Sequence, residues 1–259
     1  MIVDLHNHTV LCNHAKDSME EYILQAIKNK TKFFGFSDHA PMKFDEEYRM
    51  KFEDIKKYEQ DVLTLKDIFK DKIDISLGYE VDFLPNFMQD CVLQSKCDYL
   101  IGSVHFLDSW GFDNPEYIGE YKNKNIDEIY EKYFLSIENM AKSGLFDIVG
   151  HIDLIKVFNF KPTKDIKILS QNALKAIKKA DMVVELNLSG YRKPVNELYP
   201  GDEILKQMAE LDIPITFGSD AHAKNQVGLN SERAVAKAKK FGYTKAAIFK
   251  NRDRNFVEF

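Results

Sequence analysis

Seven short apolar runs recur along this chain, and stretches of helical periodicity separate them. The runs cover residues 2–5, 32–37, 73–81, 98–104, 146–150, 182–186 and 213–218. Ser18-Met19-Glu20-Glu21 has the S-x-x-E form of a capping box, which predicts a helix continuing over 22–30. Apolar residues at helical spacing predict further helices over 48–69, after Pro85, and around 126–142, 165–180, 202–211 and 231–240. Strands alternating with helices of these lengths imply βα units and a parallel sheet. No Pro/Ser/Gly-rich linker, internal repeat or low-complexity segment divides the chain, so residues 1–259 are expected to form a single domain. That length suits one α/β barrel, which needs about 250 residues. Seven units give a TIM-like barrel one unit short, or else an open doubly wound sheet.

The choice rests on where the polar residues fall. All seven histidines lie in short polar clusters at or just past the ends of these runs. They are Asp4-Leu5-His6-Asn7-His8, His14, Ser37-Asp38-His39, Ser103-Val104-His105, Gly150-His151-Ile152-Asp153 and Ser219-Asp220-Ala221-His222. A barrel gathers its functional groups from many carboxy-terminal strand ends, whereas an open sheet collects them at one switch point. The expected fold is therefore a distorted (β/α)7 barrel.

Imidazoles converging in this way point to metal ions, with carboxylates widening the choice of metal. Strand periodicity puts residues 4, 6 and 8 on one face, so His6 and His8 can grip one ion, with Asp4 beneath them as acceptor for an imidazole N–H. Asp220 and His222 follow the same spacing and can serve neighbouring ions. Glu80 ends an otherwise apolar run, where a charge is costly unless it is paired or metal-bound. It is the choice for a bridging carboxylate, against a salt bridge to some basic partner. Asp38 is a candidate for reaching substrate or donating a proton, with structural hydrogen bonding the competing role. Asp153 reads as structural, and Cys12 as a buried thiol close to the ligands. Neutral imidazoles and only two carboxylates would leave a multinuclear site strongly positive, which favours a phosphate guest.

Net charge is −5, which argues against a nucleic-acid binder held by a basic face. The locally basic stretch from Arg233 to Arg254 reads as the solvated face of a helix. No run approaches the ~18 apolar residues of a membrane span. The amino terminus enters its first strand with no basic, signal-like segment, so cytoplasmic residence is the expectation. Three cysteines without C-x-x-C spacing imply no disulfide framework.

Taken together, the H-x-H pair, His14, Asp38-His39, Glu80, Ser103-Val104-His105, Gly150-His151 and Asp220-Ala221-His222 resemble the polymerase and histidinol phosphatase (PHP) superfamily. Gly102–Asp108, Asp113-Asn114-Pro115-Glu116, Ser189-Gly190-Tyr191-Arg192-Lys193-Pro194 and Tyr199-Pro200 resemble its histidinol-phosphate phosphatase branch. The resemblance implies a trinuclear site holding two to three divalent ions of zinc, iron or manganese. By position, His6, His8, Glu80 and Asp220 would hold the first ion, Glu80, His105 and His151 the second, and His14, His39 and His222 the third. Glu80, His105 and His151 would stand at the reacting centre. Arg192 would clamp phosphate, Lys156 is the basic residue after His151 available as a second clamp, and Asp38 and His222 would complete the substrate contacts. The activity implied is hydrolysis of L-histidinol phosphate to L-histidinol and phosphate, a step of histidine biosynthesis. The rival readings are the same chemistry on a nucleotide or sugar phosphate, and a non-catalytic metal-binding protein. A small phosphomonoester is thus the expected partner, with no nucleic acid and no membrane.

Overall fold

A computed structural model describes residues 1–259. Seven parallel strands form one sheet: β1 (Val3–Asp4), β2 (Phe33–His39), β3 (Asp74–Asp82), β4 (Tyr99–Ser103), β7 (Ile148–Val149), β8 (Val183–Asn187) and β9 (Ile215–Gly218). Their spatial order is β1-β2-β3-β4-β7-β8-β9, so each strand of this sheet pairs with the sheet's next strand along the chain. The two ends of the sheet meet. Leu5 N–H donates to Phe217 O at 2.9 Å, Asp220 N–H to His6 O at 2.7 Å, and His8 N–H to Ala221 O at 3.0 Å. The seven-unit barrel expected from the sequence is the one that forms.

Helices α1 (Met19–Lys28), α2 (Ile55–Phe69), α3 (Asp90–Leu93), α4 (Ile126–Ser143), α5 (Ile166–Lys179), α6 (Asp202–Glu210) and α7 (Ser231–Lys240) connect the strands. The capping box holds as read, since Ser18 Oγ accepts from Glu21 N–H while the Glu21 carboxylate accepts from Ser18 N–H. Helix α4 is bounded by local chemistry at both ends. Asn125 accepts from Asp127 and Glu128 N–H, and Gly144 takes the left-handed conformation (φ 67°) that ends the helix.

Sixty-five buried apolar side chains make one continuous core. Tyr99 shows how tightly the barrel is filled: its hydroxyl, on β4, reaches across the ring to donate to Leu5 O, just after β1, at 2.6 Å. Gly35 and Gly78 flank it, where an added Cβ would come within 2.0 and 2.4 Å of Tyr99. Those two positions tolerate no side chain.

Three expectations change. The helix expected over 48–69 starts at Ile55, after 3-10 turns at Glu46–Tyr48 and Phe52–Asp54. Arg49 is drawn instead into the barrel rim by Asp45 and Asp82. The helix after Pro85 shrinks to one turn. The basic stretch leaves the helix at Lys240 and becomes an antiparallel hairpin, β10 (Lys245–Lys250) with β11 (Asp253–Glu258). Ala246 and Ala247 are buried, Thr216 Oγ1 donates to Ala247 O at 2.9 Å, and Arg252 binds the Asp147 carboxylate and Leu145 O. The hairpin packs against β9 near its start. A second small hairpin, β5 (Phe106–Leu107) with β6 (Trp110–Gly111), stands at the opposite end over the strand termini. No helix is long and apolar enough to cross a membrane.

Candidate metal centre

The carboxy-terminal strand ends surround a cavity of about 310 Å³. Register aligns the first donors: His39 on β2 is the direct partner of Glu80 on β3. His6 and His8 extend from β1, His105 follows β4, His151 follows β7, and Asp220 and His222 follow β9. Asp220 takes a left-handed backbone (φ 49°), unusual for a non-glycine residue and typical of positions whose surroundings over-determine them.

The donors fall into groups whose ligand atoms all lie within 4.8 Å of one another: His6/His8/Glu80, Glu80/His105/His151 and His14/His39/His222. Glu80 is common to the first two. Its Oε1 lies 2.9 Å from His151 Nε2 and 3.7 Å from His105 Nε2; its Oε2 lies 3.3 Å from His6 Nε2 and 3.0 Å from His39 Nδ1. Asp220 Oδ1 stands 3.2 Å from His8 Nε2 and 4.0 Å from His6 Nε2. The structure thus brings all nine expected ligand positions to one place. A further group, His8/Cys12/His222, brings in Cys12, whose buried thiol donates to Thr9 O at 3.1 Å.

This donor set fits divalent cations. His6 and His8 turn their Nε2 atoms toward each other at 3.2 Å, and one such pair can share only a single proton. His39 Nδ1, His151 Nδ1 and His222 Nε2 are buried without a hydrogen-bond partner. Burial penalises charge on His14, His39 and His222 and pushes all three pKa values down, leaving lone pairs available. Burial also opposes charge on His6 and His8, yet neighbouring carboxylates outweigh it and hold both well above the ordinary imidazole range. Burial alone would raise Glu80 and Asp220; the surrounding imidazoles reverse this and hold both carboxyls well below their usual values. Such a site attracts positive charge, and metal binding releases the protons held there.

Behind the donors stands a layer of buried acids that orients three of the rings, those of His105, His8 and His6. His105 donates through Nδ1 to Asp82 Oδ1 at 2.7 Å, and Asp82 in turn accepts from Arg49 Nη1 at 2.8 Å. Despite burial, Asp82 and Glu80 push the His105 pKa up to about 10. His8 Nδ1 faces Asp38 Oδ1 at 3.3 Å. His6 Nδ1 lies 2.8 Å from Glu185 Oε1, whose other oxygen accepts from His151 N–H at 3.1 Å and Asn187 Nδ2 at 2.9 Å. This arrangement fixes the tautomer that leaves Nε2 free for a metal. Sequence reasoning missed Glu185. The signal was available: a carboxylate inside Val183-Val184-Glu185-Leu186 breaks an apolar strand just as Glu80 does.

Several expected roles move. Asp4 does not support an imidazole. Its carboxylate accepts from Ser219 N–H at 2.8 Å, Ser219 Oγ at 2.5 Å and Asn7 Nδ2 at 3.1 Å, fastening β1 to the turn after β9. Burial pushes its pKa up to about 6. Asp38 does not reach the cavity. It is fully buried, and it accepts from Thr9 Oγ1, His39 N–H and His8. Lys156 also turns away from the metal donors, because Asp153 (2.8 Å), Glu197 (3.0 Å) and Leu198 O (2.9 Å) hold its ammonium in a separate pocket. Asp153 is structural, and it also accepts from Gly201 N–H, the N-cap of α6, at 2.9 Å. Arg192 does line the cavity with the donors. Its Nη2 donates to Ser219 O (2.9 Å) and Asp220 O (2.8 Å), while Nη1 is buried without a partner.

Fold and site define a metal-dependent barrel hydrolase. Residues 4–189 match the PHP domain family, and the chain belongs to it. A protein of Deinococcus radiodurans named probable histidinol-phosphatase is 36% identical over 246 residues, covering 93% of this chain and 94% of that one. The histidinol-phosphatase of Bacillus subtilis is 30% identical over 257 residues, covering 87% and 95% respectively. The crystal structure of histidinol phosphate phosphatase from Lactococcus lactis, complexed with zinc, L-histidinol and phosphate, superposes with a TM-score of 0.82 at 20% identity, covering 98% of each chain.

Proposed function

We propose that residues 1–259 act as one PHP-type phosphoesterase domain that hydrolyses L-histidinol phosphate to L-histidinol and phosphate, the phosphatase step of histidine biosynthesis. The observation that carries this reading is the convergence of nine metal donors with Arg192 around one cavity, in a chain 36% identical to a probable histidinol-phosphatase. His6, His8, Glu80 and Asp220 would hold one divalent ion, Glu80, His105 and His151 a second, and His14, His39 and His222 a third. Zinc, manganese and iron all suit imidazole–carboxylate sets of this kind. When bound, such ions neutralise charge on the phosphoryl oxygens and make a nucleophile available at neutral pH.

The chain supplies the positioning. Arg192 is tethered through Nη2 to the backbone beyond β9, so its buried Nη1 is held in place to receive a phosphate oxygen without a large loss of side-chain freedom. Asp82, Glu185 and Asp38 keep His105, His6 and His8 oriented, and Glu80 reaches the donors of both neighbouring groups. His222 lines the same cavity as Arg192 and would contact the phosphate from there. A cytoplasmic location belongs to the proposal, in line with three free cysteines.

The test is a panel of phosphomonoesters assayed on enzyme reconstituted with zinc, manganese or iron. L-histidinol phosphate should give the highest kcat/KM. A nucleotide or sugar phosphate preferred by a wide margin would overturn the substrate, and absence of turnover with every metal would overturn the activity.

A further inference from the structure

The mouth of the cavity is electrically lopsided. In the ring order of the barrel, the segment after β8 lies three strands from the segment after β2 and two from the segment after β4. The first contributes Arg192 and Lys193 to the cavity wall, and the others contribute Asp45, Arg49 and Asp113. Arg192 and Lys193 thus stand on one arc of the wall, and Asp45 and Asp113 on another with Arg49, which pairs with Asp45.

Most of the acidic arc is accounted for. Arg49 spans Asp45 and Asp82, at 3.2 and 2.8 Å, so one guanidinium serves two carboxylates. Asp113 is left over: it forms no hydrogen bond and no ion pair within the chain, is only partly exposed, and lines the cavity between the β5–β6 hairpin and Pro115. Its charge bears on its neighbours. Burial, opposed by Arg49, raises the Asp45 pKa, and Asp82 and Asp113 add to the rise. Asp45 and Asp82 therefore share one guanidinium, while Asp113 on the same wall has no cation of its own, in a cavity that also carries Arg192 and Lys193. The charge pattern matches a ligand that is anionic at one end and cationic at the other.

We propose that Asp113 binds a primary ammonium group on the alcohol portion of the substrate and so sets a preference for amino-alcohol phosphates over phosphomonoesters lacking the amine. The inference rests on the phosphomonoesterase reading of the same cavity, and it assigns the specificity to a residue outside the metal donors. In L-histidinol phosphate the amine sits on the carbon next to the ester-bearing one, so phosphate and ammonium occupy neighbouring stations of one small molecule. The unpaired carboxylate gains a charge-assisted partner only when such a ligand is present, and an uncharged analogue leaves it facing the cavity alone.

Two matched pairs test this on metal-loaded enzyme: L-histidinol phosphate against its deamino analogue, and ethanolamine phosphate against ethyl phosphate. The wild-type protein should favour the aminated member of each pair. In Asp113→Asn the ratio of the two kcat/KM values should fall by roughly 10–100-fold, the span expected for losing one charged hydrogen bond. Asp113→Glu should restore part of it, with metal content and melting temperature unchanged in both. A wild-type enzyme indifferent to the amine overturns the proposal with no variant needed. An unchanged ratio in folded Asp113→Asn overturns it as well. Amine selectivity that depends on Asp113, with L-histidinol phosphate itself a poor substrate, upholds it and instead removes the substrate named above.

Discussion

Replacing Glu185 by glutamine removes one charge and almost no volume, so its consequences follow from hydrogen-bond sense alone. One carboxylate oxygen faces His6 Nδ1 at 2.8 Å, and the other accepts from His151 N–H and Asn187 Nδ2 at 3.1 and 2.9 Å. An amide has a single acceptor oxygen. Turned toward His6, it leaves its NH2 against two buried donors. Turned the other way, its NH2 meets His6 Nδ1 and selects the tautomer protonated on Nε2, which has no lone pair for a metal. The carboxylate occupies the space that Gly218 leaves by having no side chain, since a Cβ there would lie 1.8 Å from Glu185 Oε1. Each buried mismatch costs about 1–3 kcal/mol. At 2–4 °C per kcal/mol for a chain near this size, the melting temperature should fall by roughly 2–12 °C. Loss of support to a ligating imidazole should weaken metal binding by about 10–100-fold. Titration with chelator-buffered zinc, alongside thermal melts of the metal-free protein, reads the two effects separately. A folded Glu185→Gln protein that binds zinc within twofold of wild type would refute the tautomer reasoning.

Lys156→Ala breaks a buried ion pair with Asp153 and should cost about 3–5 kcal/mol, lowering the melting temperature by roughly 6–20 °C while kcat/KM per folded molecule stays near wild type; a large fall in kcat/KM at full folding would return this lysine to the active site. Arg192→Lys should lower kcat/KM for the phosphate substrate and Arg192→Ala should lower it further, with metal content unchanged, since lysine keeps the charge but not the fork; unaltered kinetics in the alanine variant would exclude it. Stripping metal with a chelator should lower the melting temperature by roughly 5–11 °C relative to protein held at 100 times the dissociation constant, a linkage of about 2.7 kcal/mol. Calorimetry showing identical melts with and without metal would contradict binding at the nine donors.

The alternation of apolar runs and helix-patterned segments gave the seven βα units, because strand and helix periods are local properties of the chain. The polar clusters at many strand ends then decided for a barrel over an open sheet. The metal donors were equally legible, since a polar cluster closing an apolar strand announces itself wherever it falls: His6, His39, Glu80, His105, His151 and Asp220 all occur this way. The family resemblance also anticipated three of the groupings that the structure brings together, His6/His8/Glu80, Glu80/His105/His151 and His14/His39/His222. What the sequence left open is which acid faces which ring. Glu185 meets His6 across 179 positions and Asp82 meets His105 across 23. Asp38 and Lys156 looked equally available for substrate, and only packing shows one locked beneath His8 and the other claimed by Asp153 and Glu197. The basic carboxy-terminal segment likewise becomes a hairpin because Asp147 and the base of the barrel offer partners that no local pattern records. Spacing along a strand fixes the face on which a side chain emerges; its partner depends on how the ring closes, and closure is a property of all seven strands together.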